Sequence, residues 1–207
     1  MLISDSHHFL FTHVPKAAGS SVTAALAPYA LPRPGSTAAR ALKHIGFPRN
    51  YRKYRFSLHA PLRTAQAHMP PEVYASVFKF AFVRNPWGQL VSEYNSSINK
   101  QRRLHHRRVA GAKTFLVYLQ YEHKRGKIRQ VELLLDRSGK IDVDFLGRFE
   151  NLVEDFRVVC DRIGIESSLP TLNKHAHKDY HEYYDDESRQ FVRDHWANDI
   201  EALGYDF

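Results

Sequence analysis

The stretch Phe9-Leu10-Phe11-Thr12-His13-Val14-Pro15-Lys16-Ala17-Ala18-Gly19-Ser20-Ser21 decides the fold, because a strand, a turn and a helix start follow one another within it. Its apolar first half predicts a strand, and Pro15 marks the turn. Residues 19–21 then begin a predicted helix, whose backbone N–H groups and hydroxyls face an anion. Lys16 adds a compact positive charge at the same place. The stretch therefore predicts an anion site at the carboxyl end of a strand.

A second segment repeats this arrangement. The run Val77-Phe78-Lys79-Phe80-Ala81-Phe82-Val83 is almost entirely apolar, which is typical of a central strand covered on both faces. Pro86 suits the first turn of a following helix, where its missing N–H costs little. Arg84 can hold a phosphate through two N–H donors, and Ser92, about two turns into the helix, offers a hydroxyl from the same side. Two such elements predict a ligand that carries two separate phosphate groups.

The order of apolar runs predicts the fold class. Strands that alternate with helices indicate an α/β fold, a P-loop-like three-layer sandwich with a central, mostly parallel sheet flanked by helices. The predicted strands cover 9–14, 56–59, 77–83, 131–135 and 143–146, and the longer predicted helices cover 19–29, 86–99, 114–123, 151–163 and 186–203. The 207 residues, 43% of them apolar, suffice for one sizeable core. We therefore expect a single domain over residues 1–207.

Charge and cysteine content narrow the possible partners. The net charge is +8 and the pI is about 9.6, which predicts an anionic partner. A single cysteine, Cys160, excludes an internal disulfide and a Cys-rich metal site, and no histidine has clear ligand spacing with carboxylates, so we expect no metal. The sequence shows neither a signal-peptide pattern nor a run long enough to span a bilayer. We therefore expect a cytoplasmic protein without a membrane span.

Both phosphate segments resemble motifs of the sulfotransferases. The segment Pro15–Ser21 resembles the 5′-phosphosulfate loop of that family, and Arg84-Asn85-Pro86 with Ser92 and Tyr94 resembles its 3′-phosphate motif. Three further segments resemble the family's bacterial branch, which is related to carbohydrate sulfotransferases: 143–152, 172–174 and 199–205.

The chain departs from the family pattern at two places. The loop has Ala17 where a Thr is common, which removes one possible hydroxyl contact. The helix after Pro86 has Gly88-Gln89 where an Asp-Arg pair is common, which places a glycine inside a helix. Arg84 and Ser92 remain in place, so we interpret both changes as variation within the family.

The resemblance implies a donor, 3′-phosphoadenosine 5′-phosphosulfate (PAPS), and the product adenosine 3′,5′-bisphosphate. It implies in-line transfer of the sulfuryl group to a hydroxyl or amine of an acceptor, most simply a carbohydrate, and the net positive charge favours an anionic one. The donor-binding residues that it implies are Lys16, Ala17, Ala18, Gly19, Ser20, Ser21, Arg84, Ser92, Arg148, Asn173 and Lys174. Lys16 is also the catalytic candidate for neutralising the leaving bridging oxygen. Arg148 either reaches the nucleotide or pairs with Glu150.

A general base must take the acceptor proton, and histidine is the usual choice near neutral pH. We prefer His59, since it ends a predicted strand between the two phosphate motifs, an interval in which sulfotransferases often place their base. Glu150 and the other histidines stay open as alternatives. His13 is expected to pack as a support of the loop, and His175 and His177 to form part of a lid.

Two other function classes fit part of the pattern. A P-loop kinase would show G-x-x-x-x-G-K-[ST], but here Lys16 precedes Gly19. A non-catalytic nucleic-acid-binding module would explain the net charge and the arginines interleaved with Tyr51 and Tyr54, but not the cations at two strand ends. The basic segment 100–108 is either a solvated face or a cradle for a carboxylated or sulfated sugar. We place the kinase second and the nucleic-acid binder third.

Overall fold

The structure is a computed structural model that describes residues 1–32, 51–52, 54–99, 109, 111–126, 129–170 and 178–207. Asn173, Lys174, His175, His177 and the basic segment 100–108 lie outside the described residues. The described chain forms two compact units: residues 1–83 with 132–172, and residues 84–131 with 173–207. No helix in the described ranges is both long enough and apolar enough to cross a bilayer.

The first unit contains a sheet whose strands are β1 (Leu2–Ser4), β2 (Phe9–Thr12), β3 (Phe78–Val83) and β4 (Phe145–Arg148), paired in that order among the described residues. Strands β2, β3 and β4 run parallel, and β1 pairs antiparallel with β2 at the edge. The prediction of an α/β fold with a mostly parallel central sheet and flanking helices is confirmed. The carboxyl ends of the parallel strands lie at one edge of the sheet, where such folds bind ligands.

The helices follow in chain order. They are α1 (Gly19–Leu26), α2 (Leu62–His68), α3 (Pro71–Ser76), α4 (Pro86–Asn99), α5 (Phe115–Lys124), α6 (Gln130–Leu134), α7 (Leu152–Ile163), α8 (Asp186–His195) and α9 (Ala197–Leu203).

Successive side chains along the strands point to opposite faces of the sheet, and each face has its own apolar layer. Phenylalanine rings pack together on one face with centroid distances of 5.3–6.5 Å between neighbours; they belong to Phe9, Phe11, Phe78, Phe80 and Phe82. Leu10 points to the other face, where it packs in a core with α2 and α3. Burying one such side chain contributes about 1.5–3 kcal/mol.

Lys79 is the one charged residue in β3, and it is buried. Its Nζ lies 3.8 Å from a carboxylate oxygen of Asp142 and 3.8 Å from one of Asp144, and 5.1 Å from the ring centroid of Tyr74. The Tyr74 hydroxyl donates to Asp142 at 2.6 Å. Burial, and then this hydrogen bond, raise the pKa of Tyr74. A local charge cluster therefore compensates a cation within an apolar strand.

The second unit is built around the apolar face of α4. Leu90 is fully buried, and Tyr94 and Ile98 pack against the same cluster, as the sequence predicts. The other buried members come mainly from α5, α8 and the helix junction at Trp196.

Three predicted elements are wrong. Residues 131–135 form no strand but lie mostly in α6, because the Asp199 carboxylate accepts the N–H groups of Gln130 and Val131 at the helix start. Residues 56–59 form no strand either, and His59 lies in a turn. The predicted helix 186–203 is two helices, since the backbone leaves the α region at Trp196, whose side chain is buried in the core.

Cys160 lies on the buried face of α7, as its apolar setting predicts. Burial raises the pKa of its thiol, which keeps the group in its unreactive protonated form near neutral pH.

Candidate functional site

The loop between β2 and α1 has an unusual backbone. Lys16 and Ala18 have φ values of +65° and +58°, in the left-handed region that non-glycine residues rarely adopt. Such strain costs roughly 1–2 kcal/mol per residue and tends to occur at functional sites. Ala17, between them, is buried and has a negative φ. Alternation of backbone handedness turns successive N–H groups toward one side, which makes a concave site for an anion.

The loop leads directly into α1. Ala18 is the N-cap residue and supplies no side-chain hydrogen bond, so the first N–H groups of α1 are not capped by it. Ser20 is exposed, Ser21 is buried and Lys16 is half-buried. The structure therefore brings the predicted residues Lys16 to Ser21 together as one turn and helix start.

His13 fixes the position of Gly19. A Cβ built on Gly19 would lie 2.1 Å from Cδ2 of His13, so only glycine lets the imidazole pack there. His13 is 5% exposed, and its Nδ1 lies 3.3 Å from the Thr23 hydroxyl. His13 thus packs against the loop, as expected.

His59 contacts the same loop from a turn. Its Nδ1 lies 2.9 Å from the carbonyl oxygen of His13, and the two imidazole rings meet edge to face at 4.8 Å. Because a carbonyl oxygen only accepts hydrogen bonds, Nδ1 carries the proton, and the neutral ring holds its lone pair at Nε2. His59 is therefore held in the tautomer that can accept a proton at Nε2.

Arg84 immediately follows β3 and opens the second unit. Its Nε lies 3.4 Å from the position that a Cβ would take on Gly88, so the guanidinium lies against the first turn of α4. Ser92 is one turn further along, on the same face of the helix. Arg84 is 9% exposed, and Ser92 is half-buried. The structure thus places Arg84 and Ser92 on one face, with Gly88 providing the space between them.

Asn85 caps α4. Its Oδ1 accepts the N–H groups of Trp87 at 3.0 Å and Gly88 at 3.4 Å, and its Nδ2 donates to the carbonyl of Asp206 at 2.7 Å. Asn85 stands within the motif, but the sequence alone predicts no role for it. An Asn directly before Pro at a helix start was the available signal.

Arg148 ends β4, in register with Val83 of β3, the residue before Arg84. Its side chain is exposed, and its backbone N–H donates to Asp155 at 2.6 Å. Glu150 lies in the short 3₁₀ turn that follows and is exposed. Arg148 therefore lies at the carboxyl end of β4.

Gln130 is a buried residue that sequence reasoning missed. Its side-chain Nε2 donates to the Arg84 carbonyl at 2.7 Å, and its Oε1 accepts the Arg84 N–H at 3.0 Å. A glutamine that follows Arg129 and precedes the run 131–135 carries no local signal for such a contact. Among the described residues, no group of three or more His, Cys, Asp or Glu side chains could hold a metal ion.

Replacing Gly19 with alanine should lower the free energy of unfolding by about 1–3 kcal/mol, because the new methyl group overlaps the His13 ring. Urea unfolding measures the change, and Ser20→Ala, an exposed change in the same turn, is the control. In a His13→Ala background the Gly19 substitution should cost much less. An undiminished cost there would show that the ring is not the cause.

The profile of the Sulfotransferase family matches residues 1–206, which includes both strand-end segments, His59 and Arg148. A search of curated proteins finds no match. Since the profile covers nearly the whole chain, the chain belongs to the sulfotransferase family, whose members transfer a sulfuryl group from a sulfate donor to an acceptor.

Proposed function

We propose that this sulfotransferase moves the sulfuryl group of PAPS to a hydroxyl or amine of a carbohydrate acceptor. The observation that carries the proposal is the left-handed loop at Lys16 and Ala18, with the His59 imidazole fixed beside it. That combination supplies an anion site, a cation and a proton acceptor within one unit.

Each phosphate of the donor has its own set of ligands in this proposal. The loop Lys16–Ser21 binds the 5′-phosphosulfate through backbone N–H groups, the exposed hydroxyl of Ser20 and the Lys16 ammonium. Arg84 and Ser92, on one face of α4, bind the 3′-phosphate. Arg148 contacts the nucleotide. Asn173 and Lys174, which the family resemblance also implies as donor ligands, lie outside the described residues.

The transfer step is a single in-line displacement. The acceptor oxygen or nitrogen attacks sulfur, and the bond between sulfur and the bridging 5′-phosphate oxygen breaks. The leaving electron pair stays on that oxygen, where the Lys16 ammonium offsets the negative charge. The acceptor proton goes to Nε2 of His59, whose Nδ1 proton remains hydrogen-bonded to the His13 carbonyl.

The net charge of +8 supports an acceptor that is itself anionic, such as a carboxylated or already sulfated sugar. Incubation of the protein and PAPS with a panel of neutral oligosaccharides, acidic oligosaccharides, phenols and peptides, followed by mass spectrometry, identifies the acceptor. Products on acidic sugars are expected, and products confined to phenols or peptides would overturn the carbohydrate assignment.

Adenosine 3′,5′-bisphosphate should stabilise the protein selectively. At a concentration of 100 times its dissociation constant it should add about 2.7 kcal/mol, which corresponds to a rise in Tm of roughly 5–10 °C. Thermal-shift measurements compare it with ATP plus Mg²⁺ and with short RNA. Lys16→Ala and Arg84→Ala should each reduce the shift.

The alternative ligands decide between function classes in the same assay. A larger shift with ATP and Mg²⁺ would indicate a kinase, and a larger one with RNA a nucleic-acid binder. No shift with the bisphosphate would refute the proposed donor.

A further inference from the structure

We propose that Gln130 and Asp199 are positioning residues that hold Arg84 in the conformation that binds the 3′-phosphate. The inference rests on the proposed function, because it gives Arg84 the role of a phosphate ligand. It adds two residues that contact neither the donor nor the acceptor.

Gln130 supplies the hydrogen bonds that Arg84 loses at the end of its strand. The register of β3 with β4 ends at Val83 and Arg148, so the next residue along β3 lies beyond that ladder. The Gln130 side chain makes the two hydrogen bonds to Arg84 that a neighbouring strand would otherwise make. Its Oε1 accepts the Arg84 N–H at 3.0 Å, and its Nε2 donates to the Arg84 carbonyl at 2.7 Å. A buried backbone needs both bonds.

Asp199 fixes Gln130 in turn. Its Oδ2 accepts the backbone N–H of Gln130 and its Oδ1 that of Val131, each at 2.9 Å. Asp199 and Gln130 are both 0% exposed. A buried carboxylate is expensive unless hydrogen bonds stabilise it, and here the first N–H groups of α6 do so. The contacts run from Asp199 through Gln130 to the Arg84 backbone, all within the second unit.

The consequence for the ligand follows from the geometry of Arg84. The Arg84 guanidinium lies against Gly88, and Arg84 itself directly follows the last residue of β3. If the two hydrogen bonds from the Gln130 side chain were lost, the Arg84 backbone could rotate. That rotation would carry the guanidinium away from the face of α4 on which Gly88 and Ser92 lie. Misplacement of a group in a site by about 1 Å can reduce a reaction rate by 10²-fold.

Gln130→Glu is the sharpest test, because it keeps the shape and the acceptor for the Arg84 N–H but turns the donor to the Arg84 carbonyl into an acceptor. We expect the affinity for adenosine 3′,5′-bisphosphate to fall about tenfold or more. The affinity for adenosine 5′-phosphate, which lacks the 3′-phosphate, should stay unchanged. Isothermal titration calorimetry on the full chain measures both. Asp199→Asn should show the same selectivity with a smaller loss.

Glu122→Gln provides a matched control, since it exchanges a buried carboxylate for an amide elsewhere in the second unit. It should lower stability without changing the ratio of the two affinities. In an Arg84→Ala background, Gln130→Glu should cause no further loss of bisphosphate affinity. Should Gln130→Glu fail to fold, Gln130→Met and Asp199→Asn are measured in the same way.

The outcomes separate this inference from the proposed function. If Arg84→Ala leaves bisphosphate affinity unchanged, the 3′-phosphate role of Arg84 is wrong. If Arg84→Ala weakens binding but no folded variant at 130 or 199 does, or if those variants weaken both nucleotides equally, the positioning role is wrong. Failure of all these variants to fold would assign the two residues to stability alone and would also overturn it.

Discussion

Replacing Lys16 with alanine should lower the rate of sulfuryl transfer by roughly 10²–10³-fold, the usual loss when one stabilising group is removed from a developing oxyanion. The physical reason is the charge that accumulates on the bridging oxygen as its bond to sulfur breaks. Single-turnover measurements with PAPS and the best acceptor isolate this step. The loss should fall mainly on kcat, because neighbouring N–H groups of the loop still bind the donor.

The backbone of Lys16 offers a control that separates its charge from its conformation. With φ at +65°, the position suits glycine. Lys16→Gly should therefore be more stable than Lys16→Ala by about 1 kcal/mol yet equally slow. Lys16→Arg, which keeps a positive charge, should recover part of the rate. Substantial activity in Lys16→Gly would show that loop shape, and not the ammonium, drives transfer.

Replacing His59 with alanine should slow transfer by about 10²-fold or more, the typical contribution of a general base. Affinity for adenosine 3′,5′-bisphosphate should remain unchanged, since the proton is taken from the acceptor. Rate measurements at saturating PAPS, paired with calorimetry of the bisphosphate, test both parts.

Asparagine at position 59 is the matched variant. Its side-chain N–H can donate to the His13 carbonyl as the imidazole Nδ1 does, but the amide offers no basic nitrogen. His59→Asn should therefore fold like the original chain and transfer as slowly as His59→Ala. Full turnover in His59→Asn would move the base to Glu150 or to another histidine.

Local sequence signals predict the elements that carry the two phosphate segments. An apolar run, a proline turn and a glycine-serine helix start lie within one short stretch at Lys16, and the structure has β2, the turn and α1 there. The same holds for β3 and α4 around Arg84, where Pro86 begins the helix. Short-range chemistry determines such elements.

Contacts between distant segments determine the features that the sequence does not predict. Residues 131–135 have the composition of a strand, but Asp199, 68 residues after Val131, caps them as a helix. The turn at His59 is defined by a hydrogen bond to His13, 46 residues earlier. No local pattern records either partner, so the sequence favours His59 only by its place between the two motifs and cannot predict its tautomer.

His13 makes two contacts, one through its ring and one through its backbone carbonyl. Both must be considered when the loop is exchanged between proteins. Its ring determines where the chain can pass at Gly19, while its carbonyl oxygen orients the imidazole of His59. The path of the chain into α1 and the orientation of the His59 ring thus both depend on His13. A chimera that exchanges residues 15–21 alone would leave a foreign loop resting on an unmatched histidine, so residues 13, 19 and 59 must be exchanged as a set.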